Sequence, residues 1–176
     1  APAADCSSTV SCLRQLGVRI ESVSTHPSVV EVQGVGIKGF SEPEMVLDAG
    51  NSGTTMRLLT GLLAGQAFFA VITGDASLRT RPMGRLIHPL RLMGGRIYGR
   101  TRDTMAPLAI KGQELHGLNY NLPVASAQIK SAMLLAGLFT AQKGKTIVQE
   151  PAVSRDHTER MLQAMGVKVT CEGTVV

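Results

Sequence analysis

The chain of 176 residues has no tryptophan, four phenylalanines, two tyrosines and only three cysteines. With aromatics at 3%, the stacking platforms on which single-stranded nucleic acids lie are largely missing, and no nucleic-acid partner is expected. The cysteines, at positions 6, 12 and 171, are odd in number, form no CxxC pair and have no histidine at ligand spacing. That argues against a disulfide framework and a metal site, and reads as reduced thiols inside a cell. The apolar run at 61–74 is too short for a bilayer span and is broken by glycines and Gln66, so no membrane is expected. Nothing at the start reads as a secretory signal.

What is present is globular: 44% apolar residues with 18% charged. Eighteen Lys and Arg against 13 Asp and Glu give a net charge of +5. A basic groove for small phosphorylated or carboxylated molecules suits this balance.

The chain is organised around residues 46–65. A short apolar strand ends at Leu47, a small-residue turn runs from Asp48 to Gly53, and an apolar-periodic helix follows from about Thr54 to Ala64. The first N–H groups of a helix lack internal partners and carry the positive end of its dipole, so a glycine-rich turn before one suits an anion. Glycines 50 and 53 let a ligand approach the backbone, and Asn51 or Ser52 can cap the helix. The spacing is neither the Walker pattern nor GxGxxG, and an ordinary capped helix is the alternative.

In chain order, the pattern predicts a helix capped by Asp5 or Ser7 and stopped at Gly17, a strand at 18–21, and a turn at His26–Pro27. A strand at 29–33 and a loop or short strand at 34–41 precede the central stretch. A strand at 68–73 follows it, then a helix from Pro82 to Met93 and strands at 96–98, 107–110 and 118–124. A helix at 126–139, a strand at 145–149, a helix capped by Asp156, and a strand beginning at Val167 complete the reading.

One octapeptide pattern occurs three times: Leu13 to Ile20, Leu90 to Ile97 and Leu162 to Val169. Each is a helix end, a glycine and a basic, alternating strand. The glycines at 17, 94 and 166 lie 77 and 72 residues apart, a period that suits a unit of two helices and about four strands. Between them lie two helices apolar around their whole circumference, which places helices inside and sheets outside. The first unit lacks its opening elements and the third its closing strands, so the chain is expected to be part of a larger protein.

Three further polar helix starts stand beside the central one. Arg79 and Arg81 stand at the expected helix start just before Pro82, where two guanidiniums favour a carboxylate or phosphate, or else pair with Asp75 or Asp103. Ser126-Ala127-Gln128-Ile129-Lys130-Ser131 opens a helix with hydroxyls, an amide and an ammonium; a serine cap beside a solvated lysine is the alternative. Ser154-Arg155-Asp156-His157-Thr158 precedes the third-repeat helix and could be a plain capping motif. Together they argue for one converging anion site.

These motifs, from Leu47 to Leu59, Arg79 to Gly84, Ser126 to Ala132 and Ser154 to Thr158, resemble in order those of the 5-enolpyruvylshikimate-3-phosphate (EPSP) synthase family, bacterial type. The resemblance implies an α/β (α+β) enolpyruvyl transferase fold: repeated βαβαββ units with buried parallel helices and outer sheets, an inside-out α/β barrel. Residues 1–176 would be an incomplete substrate-binding domain of a two-domain enzyme, with a partial first unit (1–46), a second (47–121) and a partial third (122–176).

The resemblance further implies transfer of the enolpyruvyl group of phosphoenolpyruvate to the 5-hydroxyl of shikimate 3-phosphate, in the shikimate pathway to aromatic amino acids. Asn51, Gly53, Arg81 and Gln128 would bind phosphoenolpyruvate. Ser126, Ala127, Gln128 and Ser154 would bind shikimate 3-phosphate, with Thr54, Arg57, Lys130, Arg155 and His157 as further candidates. No metal or organic cofactor is implied. The family's inhibitor glyphosate would compete with phosphoenolpyruvate against Gly53. A monomeric full-length enzyme in bacterial cytoplasm or a plastid is implied.

The family's amino-terminal Lys-Ser…Arg motif is absent, as are the acid-base residues of the other domain. No catalytic residue is therefore assigned in this chain, and the chain alone is expected to turn over negligibly. The related UDP-N-acetylglucosamine enolpyruvyl transferases match these motifs less well. A non-enzymatic anion-binding module and a purely structural chain are the remaining alternatives.

Overall fold

The computed structural model describes residues 4–23, 26–140 and 144–176. Along them run α1 (Ala4–Gln15), β1 (Arg19–Val23), β2 (His26–Gln33), β3 (Leu47–Asp48), α2 (Gly53–Ala64), β4 (Phe69–Thr73) and α3 (Gly84–Leu92). Then follow β5 (Arg96–Gly99), β6 (Met105–Lys111), β7 (Asn119–Asn121), α4 (Ala127–Gly137), β8 (Ile147–Gln149) and α5 (His157–Ala164). From β3 to β6 the order is βαβαββ, preceded by αββ and followed by βαβα.

The three copies of the octapeptide fold alike, down to single hydrogen bonds. Gly17, Gly94 and Gly166 all take positive φ, at 90°, 101° and 85°. Behind each glycine the next N–H returns to the same carbonyl: Val18 to Leu13 at 3.0 Å, Gly95 to Leu90 at 2.9 Å and Val167 to Leu162 at 2.9 Å. This is the Schellman closure, which needs a left-handed residue and so selects glycine. One side chain then reaches over each closure to the following segment: Arg14 Nε to Ile20 O at 3.0 Å, Arg91 Nε to Ile97 O at 2.9 Å and Gln163 Nε2 to Val169 O at 2.9 Å. The sequence repeat is thus a repeat of hydrogen bonding.

The four strands of the βαβαββ segment form one sheet in the order β3-β4-β6-β5. β3 is parallel to β4, with Leu47 opposite Ile72, while β4 and β5 flank β6 antiparallel. The equivalent strands of the next segment, β7 and β8, are also parallel, with Asn119 opposite Ile147. β7 lies before the expected unit boundary at residue 121 and pairs beyond it. β1 and β2 form an antiparallel pair.

Beneath these sheets α2 and α4 pack on each other. Every residue from Ile129 to Ala136 is buried, and α2 buries Met56, Leu59, Thr60, Gly61 and Leu63. A helix without a polar face can only sit in an interior. The two come close enough that a Cβ on Gly61 would lie 2.2 Å from the Ala132 carbonyl oxygen.

Several expected boundaries move. α1 starts at Ala4, so Asp5 lies in its first turn and accepts Cys6 N–H at 2.9 Å, while Ser7 is also inside the helix. His26 and Pro27 belong to β2, not to a turn; residues 24 and 25 lie outside the described set. Pro82 does not open α3. It holds Arg81 in an extended conformation (φ −79°, ψ 138°), as a residue before proline prefers, and Leu78–Thr80 forms a 3-10 turn instead. Asp156 precedes α5 but makes no side-chain cap bond. Residues 167–169 form no strand, because among the described residues no neighbouring strand pairs with them.

Candidate functional site

Two helix N-termini build the site, and serine caps both. Ser52 Oγ accepts Thr55 N–H at 3.1 Å at the start of α2, and Ser126 Oγ accepts Ile129 N–H at 3.4 Å at the start of α4. The capping serines satisfy one orphan donor each and leave the remaining N–H groups and dipole ends facing outward.

Around α2 the turn is tied to the segment after β4. Asp48 Oδ1 accepts Gly50 N–H at 2.8 Å, Asp75 N–H reaches Gly50 O at 2.8 Å, and Asn51 Nδ2 donates to Asp75 Oδ2 at 2.7 Å. Asn51 Oδ1 in turn accepts from Arg81 Nη2. The hydrogen bonds from Asn51 and from Leu78 N–H hold the Asp75 carboxyl below the usual aspartate range. Asp75 thus serves as an anchor for Asn51, and Asn51 aims the Arg81 guanidinium. Asp103, the other expected arginine partner, pairs with Arg91 at 2.7 Å.

Arg57, one turn into α2, folds back over its own helix start. Its Nη1 donates to Gly53 O at 3.2 Å and to Gln128 Oε1 at 2.9 Å. Gln128 Nε2 donates onward to Thr54 Oγ1 at 2.8 Å. This pair of bonds joins the mouth of α2 to the mouth of α4. Burial, followed by repulsion from Arg81, lowers the Arg57 pKa from its ordinary value. A Cβ on Gly53 would lie 2.5 Å from Arg57 Nη1 and 3.3 Å from Arg81 Nη1, so only glycine lets both guanidiniums close over the turn. Among the described residues, neither arginine has a carboxylate ion-pair partner.

Beside this lies an open cleft of about 350 Å³, lined by Thr54, Leu58, Ala127, Gln128, Ser131, Arg155, His157 and Thr158. Arg155 and His157 are exposed, and Ser131 and Thr158 share a hydroxyl hydrogen bond of 2.6 Å in its floor. Ser126 and Ser154 meet through Glu150: its Oε1 accepts Ser126 N–H at 3.2 Å and its Oε2 accepts the Ser154 hydroxyl at 2.8 Å.

Lys130 departs from its expected part. Its side chain is 3% exposed, with Nζ 2.7 Å from both Glu150 Oε2 and Glu159 Oε1, so it is neither solvated nor turned to a ligand. Burial lowers its pKa, but the hydrogen bonds to the two glutamates outweigh that and hold it above the ordinary value. Sequence reasoning passed over Glu150 and Glu159. Their only signal was place: one glutamate just past an apolar strand, and another on the face of α5 that carries Leu162.

The EPSP synthase (3-phosphoshikimate 1-carboxyvinyltransferase) family model matches residues 2–175. Two curated proteins named 3-phosphoshikimate 1-carboxyvinyltransferase, from Bacillus thuringiensis (strain Al Hakam) and Pelotomaculum thermopropionicum, are 54% and 57% identical over 175 residues. Each alignment takes in 99% of this chain and 40% of the relative. The solved EPSP synthase of Acinetobacter baumannii superposes with a TM-score of 0.90 at 48% identity, over 96% of this chain and 37% of that one. The chain therefore spans about 40% of the length of the curated relatives it matches.

Proposed function

The chain belongs to the EPSP synthase family, and from that premise we propose that it forms the anion-binding part of a 3-phosphoshikimate 1-carboxyvinyltransferase. The observation that carries the reading is the pair Arg57 and Arg81, two guanidiniums closed over a glycine turn with no carboxylate ion pair among the described residues. Such charge without a direct ion pair at a helix N-terminus is stabilised by an anion carrying both phosphate and carboxylate, as phosphoenolpyruvate does.

In this reading Asn51, Gly53, Arg81 and Gln128 surround phosphoenolpyruvate, and Arg57 adds a second cation. Ser126, Ala127, Gln128 and Ser154 take shikimate 3-phosphate, with Thr54, Arg155 and His157 around the same cleft. Gln128, which accepts from Arg57 and donates to Thr54, is in this reading the residue shared by the two substrates. Holding both reactants in one geometry supplies much of the advantage in joining two molecules. The 5-hydroxyl gives up its proton to a base as its oxygen bonds to the enol carbon that bears the phosphate, the methylene carbon gains a proton, and loss of phosphate and of a methyl proton restores the double bond. This chain's part is positioning and charge stabilisation. The acid-base groups belong to the second domain that the family resemblance implies. Glyphosate would occupy the phosphoenolpyruvate place. The bacterial cytoplasm is the proposed location; among the described residues no helix is long and apolar enough to cross a membrane.

Titration of the isotope-labelled chain with shikimate 3-phosphate, followed by amide NMR, tests the reading. Shifts concentrated at 126–128 and at Ser154 support it. A folded chain whose shifts miss both segments, or show no change, refutes the placement.

A further inference from the structure

Glu150 is 3% exposed, lies outside the cleft, and touches three groups at once. It accepts the backbone N–H of Ser126, the hydroxyl of Ser154 and the ammonium of Lys130. Ser126 starts α4, while Ser154 sits in the loop before α5, so the carboxylate joins segments 28 residues apart in the chain. Its own backbone is held by Glu150 N–H donating to Thr174 O at 2.9 Å. A carboxylate with two oxygens and several acceptor sites can serve three donors; no neutral side chain of this size can.

On the proposed reading of the two serines as the phosphate-binding pair, we infer that Glu150 is their positioning residue: it sets the separation and aim of Ser126 and Ser154 for a phosphomonoester without touching it. Lys130 is the counter-charge that keeps this buried carboxylate ionised, and Glu159 braces Lys130 from the far side. In the unliganded chain the Ser154 proton points at Glu150. A bound phosphate, a stronger acceptor, draws that proton outward, while Lys130 and Ser126 N–H continue to satisfy the carboxylate.

Glu150→Gln isolates the effect. Its single oxygen must face Lys130 and Ser154, because an amide NH2 there would oppose the buried ammonium. The NH2 then faces Ser126 N–H, donor against donor, and pushes the α4 cap out of place. Glu159→Gln serves as the comparison, since Glu159 contacts Lys130 but neither serine, and its Oε2 has no partner among the described residues.

The experiment measures shikimate 3-phosphate affinity of the 176-residue chain by calorimetry, with thermal melts alongside. Glu150→Gln is expected to weaken binding about tenfold, the scale of one lost and opposed buried hydrogen bond. Glu159→Gln should stay within about twofold of the parent even where its melting temperature falls. Equal weakening in both variants, or parent affinity in a folded Glu150→Gln, overturns the positioning role. Should Glu150→Gln not fold, Glu150→Asp keeps the charge beside Lys130 but loses the reach to Ser126; parent affinity in that variant overturns the inference equally. A parent chain that binds no shikimate 3-phosphate refutes the serine assignment itself, a result separable from parent binding with indifferent variants.

Discussion

Replacing Gly61 by alanine tests the packing of the two interior helices, because two effects of opposite sign meet there. In an isolated helix the change is favourable: alanine exceeds glycine by about 1 kcal/mol in a helix interior. In this fold the new Cβ would lie 2.2 Å from the Ala132 carbonyl oxygen, 2.9 Å from its carbonyl carbon and 3.0 Å from its Cα. All three atoms are backbone of α4, so no side-chain rotation relieves the contact. Restoring an ordinary carbon–oxygen contact requires α2 and α4 to separate by roughly 1 Å along a seam of otherwise close-packed residues. Overpacking of this kind costs about 1–3 kcal/mol, and a backbone-on-backbone wedge lies at the upper end. Net of the propensity gain, Gly61→Ala should destabilise by about 2 kcal/mol, lowering the melting temperature by roughly 4–8 °C in a chain of this size. Gly84→Ala supplies the opposite sign: its Cβ would meet only Thr104 Cγ2 at 3.7 Å, an ordinary contact at the first position of α3. Thermal melts by circular dichroism read both. An unchanged or raised melting temperature for Gly61→Ala would refute the close approach of α2 and α4.

Gly53→Ala should leave the fold intact, because its Cβ meets the mobile ends of Arg57 and Arg81, yet displace the Arg57 guanidinium by about 1 Å. In a two-domain enzyme carrying this chain, phosphoenolpyruvate affinity and glyphosate inhibition should both weaken; inhibition curves identical to the parent's count against Gly53 in that site. Cys12 is fully buried, and burial together with Asp48 pushes its thiol up to about 11. At pH 8 iodoacetamide should therefore label exposed Cys6 and spare Cys12 until denaturant is added, as mass spectrometry would show. For pH dependence, burial alone would raise the Glu150 carboxyl, but hydrogen bonds from Lys130 and Ser154 outweigh it and hold the pKa below the usual glutamate value. The folded state thus binds fewer protons, so Glu150 contributes stability above about pH 4.3 that is lost as pH falls through its depressed pKa. Glu150→Gln should flatten the urea-stability profile on the acid side, and an unchanged acid slope would contradict the buried ion pair.

Some of this molecule followed from the order of residues alone. The threefold octapeptide announced its helix ends because a left-handed closure leaves glycine as the favoured residue. The all-round apolarity of 54–64 and 126–139 placed those helices inside, because nothing else can bury such a surface. Helix starts and most strand positions came through to within a few residues, but the strand expected from Val167 is absent, and the residues expected to open or cap the helices did not all do so. Asp5, Pro82 and Asp156 are all competent openers, and which of them opens a helix depends on bonds from elsewhere in the chain. Asn51, Gly53, Arg81 and Gln128 were candidates through the family resemblance, but the contacts that join Asn51 to Arg81 and Gln128 to Arg57 were not legible in the sequence.

Tertiary structure alone decided the charge pairing. Nothing local distinguishes Lys130, with its two buried glutamate partners, from Arg57, which has no carboxylate ion pair among the described residues. Both stand early in polar-starting apolar helices. Which cation is neutralised depends on the chain returning through Glu150 and Glu159, and the energy of a buried charge is set by neighbours within a few ångströms in space. The sequence by itself therefore pointed to polar helix starts as candidate anion sites, and the fold determined which positive groups there have no carboxylate ion pair among the described residues.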